Sequence, residues 1–255
     1  MFKIALDAGH GKYTPGKRCL NSLDRNETRE WYLNDRICDK IEKKLASYDG
    51  YSLIRVDDTT GESDVSLANR VKKANNFGAD FYLSVHHNAG INGGSGGGIL
   101  SIIYTNASEA SKQYQKIIYD ELIKETLLKG NRSNPMPKQN LYVCRHTTMP
   151  AVLVECGFMD SKTDVPIILT EDFADKAAEG LVMALVKIGK LTKKETSQEG
   201  FADIKGHYAE SYIKDLASMG IVRGRTKDKF MPNETITRAE VAVIARNVIK
   251  YITGK

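Results

Sequence analysis

Up to about residue 189 the sequence alternates short apolar runs, which have the length and composition of strands, with longer segments that have the apolar spacing of helices. The strand-like runs are clearest at 2–6, 81–85 and 151–155, and the helical spacing is clearest at 28–47 and 173–188. Parallel strands need a crossover connection between them, and that connection is usually a helix. The order therefore predicts an α/β fold, with a mostly parallel, twisted sheet covered by helices on both faces.

The character of the sequence changes after this alternating region. Residues 190–200 (KLTKKETSQEG) are polar and contain no aromatic residue, which is typical of a linker. Residues 201–255 contain two further segments with helical spacing, and Thr237 and Glu240 precede the second in the arrangement of a capping box. We therefore predict an α/β domain over 1–189, a linker, and a small all-α C-terminal module (residues 201–255).

The net charge of +5 is unevenly distributed along the chain. Residues 1–189 carry 24 basic and 24 acidic side chains, whereas residues 190–255 carry 13 basic and 8 acidic ones. A neutral first domain disfavours a nucleic-acid-binding protein, which needs a basic field around its site. The basic C-terminal quarter instead predicts an acidic partner for the module.

Compartment and membrane association are also constrained by the sequence. No run reaches the ~18 uncharged apolar residues that a membrane-spanning helix needs, so we expect no membrane insertion. The N-terminus begins with a strand-like run and lacks the zones of a signal peptide, which predicts synthesis in the cytoplasm. Cys19, Cys38, Cys144 and Cys156 include no CxxC pair, and we expect free thiols.

Three chemically active side chains come at the ends of predicted strands. His10 follows the first strand, while His86 and Glu155 end the strands that begin at 81 and 151. The carboxyl ends of parallel strands share one edge of a sheet, where ligands bind, so these side chains can meet there. Neutral imidazoles and a carboxylate form a zinc site, and three protein ligands leave one position for a reactive water.

The acidic ligand has two candidates, Glu27 and Glu30, at the start of the first predicted helix. Glu155 then remains as a general base that takes a proton from the activated water. His87 directly follows His86. Because adjacent strand residues point to opposite faces of a sheet, these two histidines are not expected to share a metal ion.

Three motifs together resemble those of the zinc-dependent N-acetylmuramoyl-L-alanine amidases. They are DAGHG at 7–11, SVHHNA at 84–89 and PAVLVECGF at 150–158. They occur in the order found in that family, and the resemblance covers about residues 1–190. It implies an α/β sheet fold and hydrolysis of the amide bond between N-acetylmuramic acid and L-alanine of peptidoglycan.

The resemblance also implies roles for individual residues. His10, Glu30 and His86 correspond to the zinc ligands, and Glu155 corresponds to the catalytic glutamate. Glu30 is preferred as the acidic ligand because the family's glutamate opens a helix and is usually followed four residues later by asparagine, which is Asn34 here.

Two further residues are candidates for contact with the substrate. Asn88 follows the two histidines of the second motif, and Arg145 precedes the third motif on the same predicted edge of the sheet. Asn88 would orient the substrate, although a role in capping the strand is an alternative. Arg145 would contact the substrate directly.

The C-terminal module resembles a single S-layer homology module. The matching stretches are FADI at 201–204, GHYA at 206–209, GIVRG at 220–224, FMPN at 230–233 and ITRAE at 236–240. The resemblance implies docking on an anionic secondary polymer of a Gram-positive cell wall, with Arg238 as the main contact and Arg223 and Arg225 as weaker candidates, since arginine pairs well with carboxylate and phosphate. Such modules commonly act in threes, so one copy predicts either low affinity or self-association.

Together the two resemblances predict an endolysin or autolysin that reaches the wall after release, for example through a phage holin. A zinc peptidase that cuts the stem peptide is an alternative, because it uses the same metal chemistry. A non-catalytic wall-binding protein is a second alternative. The digestion products separate the amidase from the peptidase, and the intact set of metal and catalytic residues disfavours a protein without activity.

Overall fold

The computed structural model describes residues 1–194 and 201–253, and the chain divides into two compact units after Lys194. We call residues 1–194 the α/β unit. The helices and strands are β1 (Phe2–Ala8), α1 (Glu30–Leu45), β2 (Tyr48–Asp49), β3 (Tyr51–Arg55), α2 (Leu67–Phe77), β4 (Phe81–Asn88), β5 (Ile99–Ile102), α3 (Glu109–Thr126), α4 (Tyr142–His146), β6 (Ala151–Phe158), α5 (Val165–Ile168), α6 (Glu171–Gly189), β7 (Thr192–Lys193), α7 (Glu210–Ser218) and α8 (Arg238–Thr253).

The α/β unit is built on a five-stranded sheet with the order β3-β1-β4-β6-β5. Strands β3, β1, β4 and β6 are parallel, and β5 pairs antiparallel with β6 at the edge. The predicted mostly parallel sheet is therefore confirmed. Its carboxyl edge is formed in the centre by β1, β4 and β6, the strands that carry or precede the three motifs.

Helices cover both faces of this sheet, as predicted. Alternate residues of β1 face opposite ways: Ile4 and Leu6 belong to the core beneath α1, α3 and α6, whereas Ala5 belongs to the core beneath α2 and α4. On α1, Ile37 and Ile41 are completely buried. Burial of such a side chain contributes about 1.5–3 kcal/mol relative to leaving it exposed.

Local signals set the ends of several helices. The Ser66 hydroxyl accepts a hydrogen bond from the Asn69 N–H at the start of α2, and Gly78 ends that helix with a φ of 65°. The Thr170 hydroxyl likewise accepts from the Phe173 N–H at the start of α6. These caps pair backbone groups that a helix cannot pair internally.

The α/β unit extends beyond the predicted domain end. The predicted linker covered residues 190–200, but β7 pairs antiparallel with β2, with Thr192 opposite Asp49. This pairing joins residues that are far apart in the sequence, so the local polar composition did not indicate it. Residues 195–200 of the predicted linker lie outside the described residues.

The C-terminal module contains the two predicted helices, α7 and α8, after a short 3-10 turn at Ala202–Ile204. The predicted capping box is confirmed, because the Glu240 N–H donates to the Thr237 hydroxyl at 3.2 Å and the Thr237 N–H donates to the Glu240 carboxylate at 2.7 Å. No side chain of α8 is buried.

The structure also defines the state of the cysteines and the apolar character of the helices. All four cysteines are buried and free, as predicted. No helix among the described residues is both long enough and apolar enough to cross a membrane.

Candidate metal centre and active site

Two histidines and one glutamate meet at the carboxyl edge of the sheet. The Glu30 Oε1 atom lies 3.0 Å from His86 Nδ1 and 3.4 Å from His10 Nε2. The possible ligand atoms of these residues all lie within 4.8 Å of one another, and we call them the His–Glu–His cluster. Glu27, the alternative acidic ligand, instead pairs with Arg18 at 3.1 Å and is not part of the cluster.

The strand register explains why the two histidines meet. Ala8 at the end of β1 pairs with Val85 of β4, so the residues that follow each of them emerge at the same edge. Gly9 allows the close approach, since a Cβ there would lie 2.1 Å from the His86 ring. The His10 and His86 rings pack edge to face with their centroids 5.0 Å apart.

Asn34, one turn after Glu30, joins the segments that carry the histidines. Its Nδ2 group donates to the Gly9 carbonyl at 3.1 Å, and its Oδ1 atom lies 2.8 Å from His87 Nδ1. His87 is buried on the opposite face from His86, and burial lowers its pKa to about 3. A neutral His87 therefore anchors α1 to β4 and takes no part in the cluster.

The cluster has the donor set and unpaired atoms of a metal site. Burial by itself would raise the pKa of Glu30, but the neighbouring imidazoles of His10 and His86 hold it below its ordinary value. His10 Nε2 and Glu30 Oε2 are buried without a hydrogen-bond partner, and such atoms are costly unless something binds them. Two imidazole nitrogens and a carboxylate oxygen suit a divalent ion, so the cluster can hold a metal.

Glu155 lies beside the cluster without belonging to it. It pairs with His86 in the register of β4 and β6, and its Oε2 atom is buried without a hydrogen-bond partner. Burial raises its pKa to about 7, although the charge of His86 opposes that shift. A carboxyl group with this pKa can both take and return a proton near neutral pH.

The structure does not bring the two predicted substrate-contact residues into the pocket that the cluster lines. The Asn88 side chain accepts a hydrogen bond from the Ala89 N–H at 2.8 Å, which is a local contact at the end of β4. Arg145 is exposed and donates to Asn140 at 3.2 Å. Neither Asn88 nor Arg145 is among the residues that line the pocket.

Comparison with known proteins places this arrangement in a family. The family described as N-acetylmuramoyl-L-alanine amidase matches residues 4–187, which is more than half of the chain. The chain belongs to the N-acetylmuramoyl-L-alanine amidase family. The predicted resemblance is confirmed, and the protein is a peptidoglycan amidase.

Individual relatives agree with this assignment. The amidase is 33% identical over 227 residues to the sporulation-specific N-acetylmuramoyl-L-alanine amidase of Bacillus subtilis, covering 88% of this chain and 82% of the relative. It is 32% identical over 193 residues to the endolysin of Bacillus phage SPP1, covering 75% of this chain and 67% of the endolysin. The crystal structure of N-acetylmuramoyl-L-alanine amidase from Clostridium difficile 630 matches with a TM-score of 0.65 at 27% identity, covering 73% of this chain and 95% of the crystallised chain.

The active-site pocket of the amidase has a volume of about 490 Å³ and a mixed lining. Its polar lining residues include His10, His86 and Glu155, together with Asp7 and Arg70. Its apolar lining residues include Val65, Leu67, Leu141, Val143 and Leu153. The pocket can therefore offer a substrate both polar and apolar contacts.

Sequence reasoning did not identify Lys17, which also lines this pocket. Its carbonyl accepts the Glu30 N–H at 3.0 Å, and its Nζ atom lies 3.7 Å from Glu30 Oε2. A lysine in a polar loop has no sequence signal that separates it from an ordinary solvated charge. In the pocket its charge favours anionic groups.

The C-terminal module matches the S-layer homology domain over residues 200–242. Arg238, the first residue of α8, and Arg223 are both exposed. Arg225 forms ion pairs with Glu240 and, at 3.6 Å, with Glu234. The charge of Arg225 is thus largely neutralised within the module, which leaves Arg238 and Arg223 as its better candidates for an external anion.

Proposed function

We propose that the amidase uses a zinc ion held by His10, Glu30 and His86 to hydrolyse the amide bond between the lactyl group of N-acetylmuramic acid and L-alanine. The observation that carries this proposal is the convergence of three possible ligand atoms within 4.8 Å of one another. Two of these side chains, His10 and Glu30, have a buried atom without a hydrogen-bond partner. Glu155 lies beside them on the next strand and supplies the proton-transfer group.

Zinc, when bound, supplies a Lewis acid that polarises the amide carbonyl and lowers the pKa of a water molecule. Glu155 accepts a proton from the attacking water as the water oxygen bonds to the lactyl carbonyl carbon. The carbon–nitrogen bond then breaks, and Glu155 returns the proton to the alanine nitrogen. The products are a lactyl carboxylate and a stem peptide with a free amino group.

The bonds broken in digested peptidoglycan test this proposal. An amidase releases stem peptides that begin with a free L-alanine amine and leaves intact lactyl groups on the glycan. Stem peptides cleaved internally, with the lactyl amide intact, would instead identify a zinc peptidase and overturn the proposal. Mass spectrometry of the soluble products distinguishes these two results.

The pH dependence of the reaction should reflect the titration of Glu155. The base must be ionised, and burial raises its pKa to about 7 from 4.5 before any cation is bound. A bound cation lowers the pKa of Glu155, so we expect kcat/KM to begin to fall at a pH between 4.5 and about 7. Below that pH, kcat/KM should fall about tenfold per pH unit. A profile of kcat/KM that stays flat down to about pH 4 would contradict the assignment.

We further propose that the C-terminal module anchors the amidase to an anionic secondary polymer of the cell wall through Arg238 and Arg223. Both side chains are exposed, and the region from 190 to 255 carries the whole net charge of the chain. Anchoring holds the catalytic unit at the wall, where an endolysin or autolysin acts. Binding of the full chain to purified walls should weaken with salt and with Arg238→Ala. Binding unaffected by either change would contradict this proposal.

Helix α8 supports a related proposal, that modules of two or more chains associate. Val241, Val243, Ile249 and Ile252 of α8 are 50–76% exposed, which is costly for apolar side chains in water. Association would cover them and add avidity for a repeating polymer.

Sedimentation velocity tests this association directly. We expect the wild-type chain to form oligomers as its concentration rises, and Ile252→Glu to shift it towards monomers. Tyr212→Glu on α7 changes a similarly exposed side chain outside α8 and serves as the control. A wild-type chain that stays monomeric at every concentration would contradict the proposal.

A further inference from the structure

A buried ion pair lines the same pocket as His10 and His86 of the His–Glu–His cluster and has no part in the proposed chemistry. Arg70 of α2 and Asp7 of β1 are each 1% exposed, and Arg70 Nη1 lies 2.5 Å from Asp7 Oδ1. The second carboxylate oxygen of Asp7 accepts hydrogen bonds from Tyr82 at 2.9 Å and Ser84 at 2.7 Å. These contacts fix the carboxylate and therefore the orientation of the guanidinium group.

The remaining donors of Arg70 hold the backbone on either side of Gly9. Its guanidinium donates to the Ala8 carbonyl at 2.7 Å and to the His10 carbonyl at 2.9 Å. Its Nε group donates to the Val65 carbonyl at 2.7 Å, which fixes the side chain at its other end. Arg70 therefore bonds directly to the residue that carries one of the cluster's imidazoles.

The backbone at His10 needs such support. Its φ of 67° lies in the left-handed region, which residues other than glycine rarely adopt. Strained conformations of this kind persist where the surroundings hold them, and they concentrate at functional sites. One of the carbonyl groups that Arg70 binds is that of His10, the strained residue itself.

The loop after His10 is tied to the same arginine. The Gly11 N–H donates to the Thr14 hydroxyl at 3.0 Å, and that hydroxyl donates to Asp64 at 2.7 Å. The other oxygen of Asp64 lies 3.1 Å from Arg70 Nη2. Both sides of the histidine are thus held by one guanidinium group.

We propose that Arg70 is a positioning residue that holds His10 in the strained backbone conformation needed to bind the metal. This inference rests on the proposed function, because it takes His10 to be a zinc ligand. Arg70 also lines the active-site pocket, and it acts on His10 through the carbonyl groups of Ala8 and His10. Its loss therefore reduces metal affinity first and activity as a consequence.

The variant Arg70→Met tests this role. The full-length wild type and variant are prepared without metal, and the apparent dissociation constant for zinc is measured by competition with a chromophoric chelator. Loss of outer contacts that orient a ligand typically weakens metal binding about 10–100-fold, and we expect a change of this size. Arg70→Lys keeps the charge next to Asp7 but cannot reach all the carbonyls, so its affinity should lie between those of the wild type and Arg70→Met. The visible absorption of the cobalt-substituted protein should change in the same order.

Arg55→Met is the matched control. Arg55 is another buried arginine in ion pairs, with Asp57 at 2.7 Å and Asp35 at 2.5 Å, and none of these residues lines the active-site pocket. It should lower the thermal midpoint without changing zinc affinity.

The proposal would be overturned if Arg70→Lys had the zinc affinity and the cobalt spectrum of the wild type. The same result for a folded Arg70→Met variant would also overturn it. Failure of the wild type itself to bind zinc would overturn the proposed function as well, so the two failures are distinguishable.

Discussion

Replacing Glu155 with glutamine is expected to reduce the turnover number for peptidoglycan hydrolysis by a factor of about 10²–10⁴, the usual contribution of a positioned proton-transfer group. Glutamine has nearly the same shape as glutamate but cannot accept and return the proton. Because Glu155 is not one of the three clustered ligands, zinc affinity should change little. The measurement is the initial rate of release of free amino groups from purified walls.

Glu27→Gln is the control for this prediction. Glu27 is also a glutamate near the start of α1, but it pairs with Arg18 and does not line the active-site pocket. Its variant should digest walls at the wild-type rate. If Glu155→Gln also digested walls at that rate, Glu155 would not be the base.

His86→Ala should abolish both zinc binding and hydrolysis. His86 contributes one of the three clustered ligand atoms, and its Nδ1 atom lies 3.0 Å from Glu30. Two remaining ligands cannot hold zinc as three can, so added zinc should restore little activity. Zinc content of the purified chain, measured by atomic absorption, should fall together with the rate.

The exposed His146 provides a control for removing an imidazole. His146 stacks on Tyr142 and is outside the His–Glu–His cluster. His146→Ala should retain its zinc. A His86→Ala variant with full zinc content and activity would exclude this cluster as the metal site.

The sequence was most informative where chemistry and strand position coincide. His10, His86 and Glu155 were placed at one edge of the sheet because parallel strands bring their carboxyl ends together, and the structure has them there. The exact strand ends were less predictable. β4 continues to Asn88 and β6 to Phe158, because the two strands stay paired past an irregularity between His86 and Asn88.

The supporting residues could not be recognised from the sequence. Lys17 and Arg70 are charged side chains in polar surroundings, where an exposed position is the usual outcome. Their roles depend on contacts with residues far away in the chain, such as the bond from Arg70 to His10, which lies 60 residues away. In the sequence Asn34 is only a residue typical of the family, and its hydrogen bonds to Gly9 and His87 give the physical reason for its spacing from Glu30.

End-group analysis of purified peptidoglycan, digested by the full chain with and without a chelator, tests the central claim most directly. We predict free L-alanine amines on the released stem peptides and intact lactyl groups on the glycan, in equal amounts. The chelator should stop the release, and added zinc should restore it. Stem peptides cut at internal bonds, or release that continues in the chelated enzyme, would contradict a zinc-dependent amidase built on His10, Glu30, His86 and Glu155.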